Sequence, residues 1–254
     1  MRWSLVFLGI TSLLLVASVT ANVALFERTQ QYYREVNATR LDPVGLREYP
    51  QTPEESETPN ALRVVVFGDS RAAGWRLPET EDYDVINRGI ASQTSVQVLQ
   101  RFDAHIKPLS PDIILVQVGI NDLKTIGLFP HRADDVIRNC QANITQIVQL
   151  SQETGAVVVL STILPAGKVS LARQWVWSDD IDRAVVEVND YLSTLAMAPN
   201  VVVFDGFSLI ATLPEQTRLT YYKDELHFTQ AGYDRLNGAL MPQLQTIVQS
   251  LDKR

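Results

Sequence analysis

Five short runs of apolar, largely β-branched residues recur along the chain, each bounded by turn residues. They are LRVVVF from Leu62, DVINRG from Asp84, PDIILVQVG from Pro111, GAVVVLST from Gly155 and NVVVFD from Asn200. Stretches of helical period lie between them. Val96, Leu99, Phe102 and Ile106 share one face of 95–106. Val136, Cys140, Ile144, Ile147 and Val148 share a face of 134–152, behind Asp134 and Asp135, where a helix dipole favours anions. Ile181, Ala184, Val185, Val188, Leu192 and Leu195 form a stripe over 180–198. Thr229 is placed to cap a last helix carrying Tyr233, Leu236 and Leu240, with a kink expected at Pro242. Continuously apolar strands alternating with amphipathic helices require parallel strands covered on both faces. The expected fold class is α/β: a three-layer α/β/α sandwich on a parallel five-stranded sheet, occupying residues 61–254.

The amino-terminal part is of another kind. SLVFLGITSLLLVASVTANVALF, Ser4 to Phe26, carries no charged side chain. At about 1.5 Å per helical residue it can cross a bilayer. Residues 1–26 are therefore expected to be a transmembrane anchor or a signal segment. A cut after Ala21 would suit a signal, but secretory apolar cores are shorter, about 7–15 residues, so length favours the anchor. Arg28, Arg34 and Arg40 follow the segment and blur the positive-inside count. The body is still expected on the extracytoplasmic side, because a lone leading segment usually carries the rest of the chain across. Residues 27–60 are expected to be a Pro/Glu-rich linker, on the composition of YPQTPEESETPN, Tyr49 to Asn60.

Charge and composition exclude several classes. The net charge of −7 disfavours a nucleic-acid surface. The one cysteine, Cys140, cannot form an intrachain disulfide and reads as a small core residue. No zinc-like spacing, dinucleotide fingerprint, phosphate-binding loop or G-x-S-x-G elbow is present, so neither metal nor cofactor is expected.

In open parallel sheets, ligands bind beyond the carboxyl ends of the strands. Those ends carry Gly68-Asp69-Ser70, Asn87-Arg88-Gly89 and Gly119-Ile120-Asn121-Asp122, and the loop before the last helix carries Asp224-Glu225-Leu226-His227. The blocks GDSR, NRG, GIND and DELH, in this order from Leu62 to the carboxyl terminus, resemble the SGNH (GDSL-type) hydrolase family. The resemblance implies a flavodoxin-like fold and hydrolysis of esters of lipids or sugars. Two positions depart from the pattern. Arg71 follows the serine where a small or hydroxyl residue is more frequent. Ser92 stands where a second glycine often occurs. Both departures bear on substrate preference, because these positions are expected to line the pocket.

The resemblance implies Ser70 as nucleophile and a catalytic set of Ser70, His227 and Asp224. Its oxyanion hole would comprise the backbone N–H groups of Ser70 and Gly89 with the amide of Asn121. Chemistry supports the choice of base, because a serine hydroxyl needs a group to take its proton. Only His105, His131 and His227 are available. His105 reads as a partly exposed helix residue and His131 as a loop residue. Asp224 and His227 share one turn, so the carboxylate can hold Nδ1 and leave Nε2 to the serine. Asp69 and Asp122 read as structural acceptors at strand ends. Arg71 could bind an anionic substrate group or pair with a carboxylate. Trp175 and Trp177 could wall an acyl site or simply cover the core. The expected function is that of a serine esterase or lipase-like acyl hydrolase on a small acylated substrate. The same site could instead transfer acyl groups to a sugar or envelope polymer, or bind acyl sugars without turnover.

Overall fold

All five apolar runs form strands: β1 (Leu62–Gly68), β2 (Tyr83–Gly89), β3 (Ile113–Gln117), β4 (Val157–Ser161) and β5 (Val201–Phe204). Every pairing is parallel, in the order β2-β1-β3-β4-β5. The computed structural model describes residues 2–50 and 61–251; positions 51–60, most of the Pro/Glu-rich run expected as linker, lie outside the described residues. Side-chain alternation divides the core in two. Val65, Phe67, Ile114, Val116, Val158 and Leu160 pack into one layer with Phe102, Ile144 and Val185. Val64, Val66, Ile113, Leu115, Val157 and Val159 pack into the other with Trp75, Tyr233 and Leu236. Burying a Val, Leu or Ile side chain is worth roughly 1.5–3 kcal/mol relative to leaving it in water, so the sheet is stable only with both faces covered.

The helices among the described residues are α1 (Arg2–Leu41), α2 (Ser70–Gly74), α3 (Ser95–Gln100), α4 (Phe102–His105), α5 (Ile120–Leu123), α6 (Ala133–Glu153), α7 (Asp179–Thr194), α8 (Gly206–Ala211), α9 (Glu215–Leu219) and α10 (Gln230–Leu251). α3, α4, α6 and α7 cover the first core layer, and α2, α8 and α10 the second. The helix expected over 95–106 is broken at Arg101, which leaves helical geometry. Its guanidinium turns inward to Gln93 Oε1 (2.6 Å) and to the Gly68 carbonyl (2.8 Å). α10 runs through Pro242 to Leu251.

From β1 the chain moves to β2 on one side and then to β3 on the other. The strand order thus reverses between β1 and β3, where flavodoxin-like sheets open a crevice at their carboxyl edge. Ser70 follows β1 and Asn121 follows β3, so the fold brings both blocks to that crevice.

The chain divides into two units, Met1–Gly45 and Leu46–Arg254. In the first, α1 holds an apolar window long enough to span a bilayer, with none of it buried. The helix continues past Phe26 to Leu41, through residues expected to be linker. ERTQQYYREVNATRL is rich in helix formers and meets no glycine or proline before Pro43. In the second unit, Tyr49 is packed rather than free. Its Oη donates to the Gly89 carbonyl (2.6 Å), and the Arg88 guanidinium lies 4.6 Å from its ring centre.

Candidate active site

Backbone geometry sets the nucleophile block. Gly68 adopts φ +151°, and a Cβ there would fall 1.8 Å from the Gln117 carbonyl oxygen. Only glycine lets β1 and β3 close so tightly at their ends. Asp69 N–H then donates to the same carbonyl (3.1 Å), and Asp69 Oδ1 accepts the Arg71 N–H (2.8 Å), capping α2. Ser70 is thereby the first residue of α2, partly exposed at the carboxyl edge of the sheet. Its N–H belongs to the first helical turn, which lacks intrahelical acceptors. Asp69 is fully buried, and its Oδ2 has no hydrogen-bond partner. Burial pushes its carboxyl up to about 6 despite the opposing Arg71 charge. The structural reading of Asp69 holds.

Arg71 neither faces substrate nor makes an ion pair with a carboxylate. Its side chain is fully buried. Nε donates to the Leu226 carbonyl (2.9 Å), Nη2 to Pro165 (3.0 Å) and Nη1 to Leu164, and the guanidinium lies 5.6 Å from the Phe228 ring centre. A planar fork whose donors are spread over three nitrogens suits three separate carbonyls, whereas a lysine presents its three donors from one atom. The departure at this position is therefore a tie between loops, not a pocket wall. Burial lowers the affinity of its guanidinium for the proton.

The D-x-x-H turn is folded around one carboxylate. Asp224 Oδ1 accepts the backbone N–H groups of Leu226 and His227, each at 2.8 Å. His227 Nδ1 stands 2.8 Å from Oδ2 and 3.0 Å from Oδ1. A carboxylate partner requires a proton on Nδ1, leaving Nε2 as the acceptor on the far side of the ring. Burial raises the Asp224 pKa, but hydrogen bonds from the His227 ring and both N–H groups outweigh it, and the net value lies below the ordinary one. Ser70 precedes Arg71 and His227 follows Leu226, so each flanks one end of the Arg71–Leu226 bond.

The oxyanion candidates differ in their present partners. Gly89 N–H donates to Asn87 Oδ1 (2.9 Å). Asn87 Nδ2 in turn bonds the carbonyls of Ala72 (2.8 Å) and Trp75 (3.2 Å) at the end of α2. Asn121 is buried on the one-turn helix α5. Its Nδ2 donates to the Gln93 carbonyl (2.9 Å), and its Oδ1 accepts from Lys124 Nζ (2.6 Å). Asp122 accepts from Ser95 N (2.8 Å) and Oγ (2.6 Å), one bond to each carboxylate oxygen, and so fixes the start of α3.

Other expectations are corrected or refined. His105 is not partly exposed: it is buried, with Nδ1 3.3 Å from Arg101 Nη1 and Nε2 3.3 Å from the Leu46 carbonyl. Of these partners Leu46 lies outside the helical pattern altogether, 59 positions away in the chain. His131 is exposed on the 3-10 turn Pro130–Arg132. Cys140 is buried in the core. Trp177 packs against the core, whereas Trp175 stands exposed in the 3-10 stretch Leu171–Val176. Ser92 takes φ 65°, a left-handed conformation natural to the glycine often found there. Residues that motif reading passes over are Lys124, Arg173 and Glu225. Arg173 Nη1 meets the buried Glu225 at 2.9 Å, and Gly167 N–H donates to the Glu225 carbonyl (2.9 Å), so the 165–176 loop is fastened to the D-x-x-H turn. For Lys124 the one signal in the sequence is its position a turn after Asn121.

The model of the GDSL-like Lipase/Acylhydrolase family matches residues 60–235. The chain belongs to the GDSL-like lipase/acylhydrolase family. Membership sets it among ester-bond hydrolases. An arylesterase from Vibrio mimicus is 27% identical over 118 residues, covering 40% of this chain and 54% of that protein. The chain thus spans about half the length of that curated relative. A GDSL-like lipase from Bacteroides thetaiotaomicron superposes with a TM-score of 0.59 at 21% identity, over 82% of this chain and 97% of that one. Axe2, an acetylxylan esterase from Geobacillus stearothermophilus, gives a TM-score of 0.55 at 17% identity, over 72% and 94%. At these identities the structural likeness is one of fold. It bears out the α/β architecture, while the resemblance to GDSL-type hydrolases is borne out by the family match over residues 60–235.

Proposed function

We propose that the protein is a serine acyl hydrolase in which Ser70 is the nucleophile, His227 the base and Asp224 its orienting acid. The observation that carries this reading is the Asp224–His227 pair at 2.8 Å, in a turn whose Leu226 carbonyl is bonded to the residue after Ser70. Ser70 Oγ attacks the ester carbonyl carbon while its proton passes to His227 Nε2. The negative charge that forms on the carbonyl oxygen is held by Ser70 N–H, Gly89 N–H and the Asn121 amide. For Gly89, the oxyanion competes with Asn87 Oδ1 for the same donor. The C–O bond to the alcohol then breaks, and the alcohol leaves with the proton from Nε2. Water attacks the acyl-serine with His227 again as base, and releases the carboxylic acid and the free serine. Removing one oxyanion donor typically costs on the order of 10²–10³ in turnover.

The substrate class is proposed to be an acyl ester of a lipid or sugar, in keeping with the lipase/acylhydrolase family; the arylesterase relative supports the ester bond only. Ser70→Ala and His227→Ala are each expected to abolish p-nitrophenyl acetate hydrolysis at an unchanged melting temperature. Wild-type turnover in either variant overturns the assignment.

α1 is proposed to anchor or export the body to the extracytoplasmic side, on its length and apolar composition. Protease added to intact cells should digest the body. A fully protected body contradicts export.

A further inference from the structure

We propose that Lys124 is a positioning residue for the oxyanion donor Asn121, fixing which way its amide points and polarising it. The proposal rests on the reading of Asn121 as an oxyanion donor. An asparagine amide presents two chemically opposite ends of nearly equal size, and only its partners decide their placement. Here one end meets Lys124 Nζ at 2.6 Å and the other meets the Gln93 carbonyl at 2.9 Å. Lysine offers only donors and a carbonyl only acceptors. The reverse orientation would set the ammonium against an NH₂ group and the Gln93 carbonyl against the amide oxygen. Both contacts would be repulsive, so the oxygen faces Lys124. The NH₂ group gives one hydrogen to Gln93 and keeps one for an incoming oxygen.

The sequence supplies the geometry. Asn121 and Lys124 stand three residues apart across α5, a spacing that brings side chains together on a helical turn. Lys124 is half-buried, with the charges of Arg173, Asp69, Glu225 and Arg71 within electrostatic reach. Burial and the neighbouring arginines lower its proton affinity, and the two carboxylates oppose them. A cation on Oδ1 withdraws electron density from the amide and makes its N–H a stronger donor, as charge-assisted bonds are stronger than neutral ones. The gain grows with negative charge on the substrate oxygen, so it favours the tetrahedral intermediate over the bound ester.

The test uses the full chain with p-nitrophenyl acetate and compares Lys124→Met, Lys124→Arg, Asn121→Ala and the Asn121→Ala/Lys124→Met double variant. Lys124→Met should lower kcat about tenfold with KM within about twofold, since a bond that acts on the transition state alone moves kcat. Lys124→Arg, which keeps a charged donor, should recover most of the loss. In the Asn121→Ala background the methionine should cost nothing more, because the group it acts through is gone. Normal kcat in Lys124→Met, beside an impaired Asn121→Ala, overturns the positioning role alone. An undiminished methionine effect in the Asn121→Ala background overturns it too. Full activity in Asn121→Ala removes the oxyanion reading and the proposal together. Should the methionine variant melt early, Lys124→Leu, which also lacks a donor, carries the same comparison in both backgrounds.

Discussion

Arg71 Nε donates to the Leu226 carbonyl at 2.9 Å, joining residues 155 positions apart. One end of this bond follows the candidate nucleophile and the other precedes the candidate base. Three carbonyls converge on the same guanidinium, and none of its partners is a charged side chain. Arg71→Ala would leave those carbonyls buried and unpaired, at roughly 1–3 kcal/mol each. The expected result is a loss of at least about 3 kcal/mol in urea unfolding, together with loss of esterase turnover. Arg71→Lys keeps the charge but not the fork, and should fall between wild type and alanine in both measurements.

Asp69 gives the stability a pH dependence of its own. Its folded-state pKa is raised by burial from 3.8 to about 6. Between those values the folded chain holds more protons at this site than the unfolded chain, so this contribution falls as pH rises through the window. Above about 6 the full cost is present, on the order of 2–3 kcal/mol. Asp69→Asn can still accept the Arg71 N–H and keep the cap. The melting temperature of the variant, relative to wild type, should therefore rise between pH 4 and pH 7. A constant difference across that range would remove Asp69 as its source.

Gly89 leaves no room for a side chain. A Cβ there would stand 2.1 Å from Ala73 N and 2.5 Å from Ala73 Cα. These are backbone atoms of α2, so the helix that begins at Ser70 would have to move away from β2. Displacements of about 1 Å at a reacting group can cost around 10² in rate. Gly89→Ala should show such a drop in kcat and a lower melting temperature, read by p-nitrophenyl acetate kinetics and calorimetry.

Arg173 neutralises a carboxylate that water hardly reaches. The Glu225 side chain is only 7% exposed, against 55% for Arg173. Arg173→Ala strands the buried charge and loosens the 165–176 loop. Chymotrypsin should then cut at the exposed Leu171 and Trp175 several-fold faster, with Arg173→Lys close to wild type. Unchanged cleavage in the alanine variant would mean that the loop is held by other contacts.

How much can be read from the sequence depends on how local each cause is. VVVF and IILV are apolar on both faces, and that alone demands a covered parallel sheet. Asp224 and His227 are legible because one turn contains both partners. The role of Arg71 is not, because its partners are backbone carbonyls at 164, 165 and 226, which carry no side-chain signature. The burial of His105 escapes a helical pattern for a related reason. Its surroundings, Arg101, Leu46 and Tyr49, include residues from the far end of the expected linker. The length of α1 is within reach of the sequence, since helix formers run unbroken to Leu41 and only the acidic proline-rich run beyond them suggests a linker.

The bonds of Arg71 also govern when the molecule can be finished. During synthesis β1 and α2 emerge early, yet all three carbonyls that receive the guanidinium lie more than 90 positions downstream. A nascent chain that has emerged only as far as β5 can offer the guanidinium the carbonyls of Leu164 and Pro165 and still lacks the third, at Leu226. Leu226 arrives with the candidate base attached to it. Completion of the Arg71 bonds and assembly of the candidate catalytic set therefore wait on the same segment, the D-x-x-H turn.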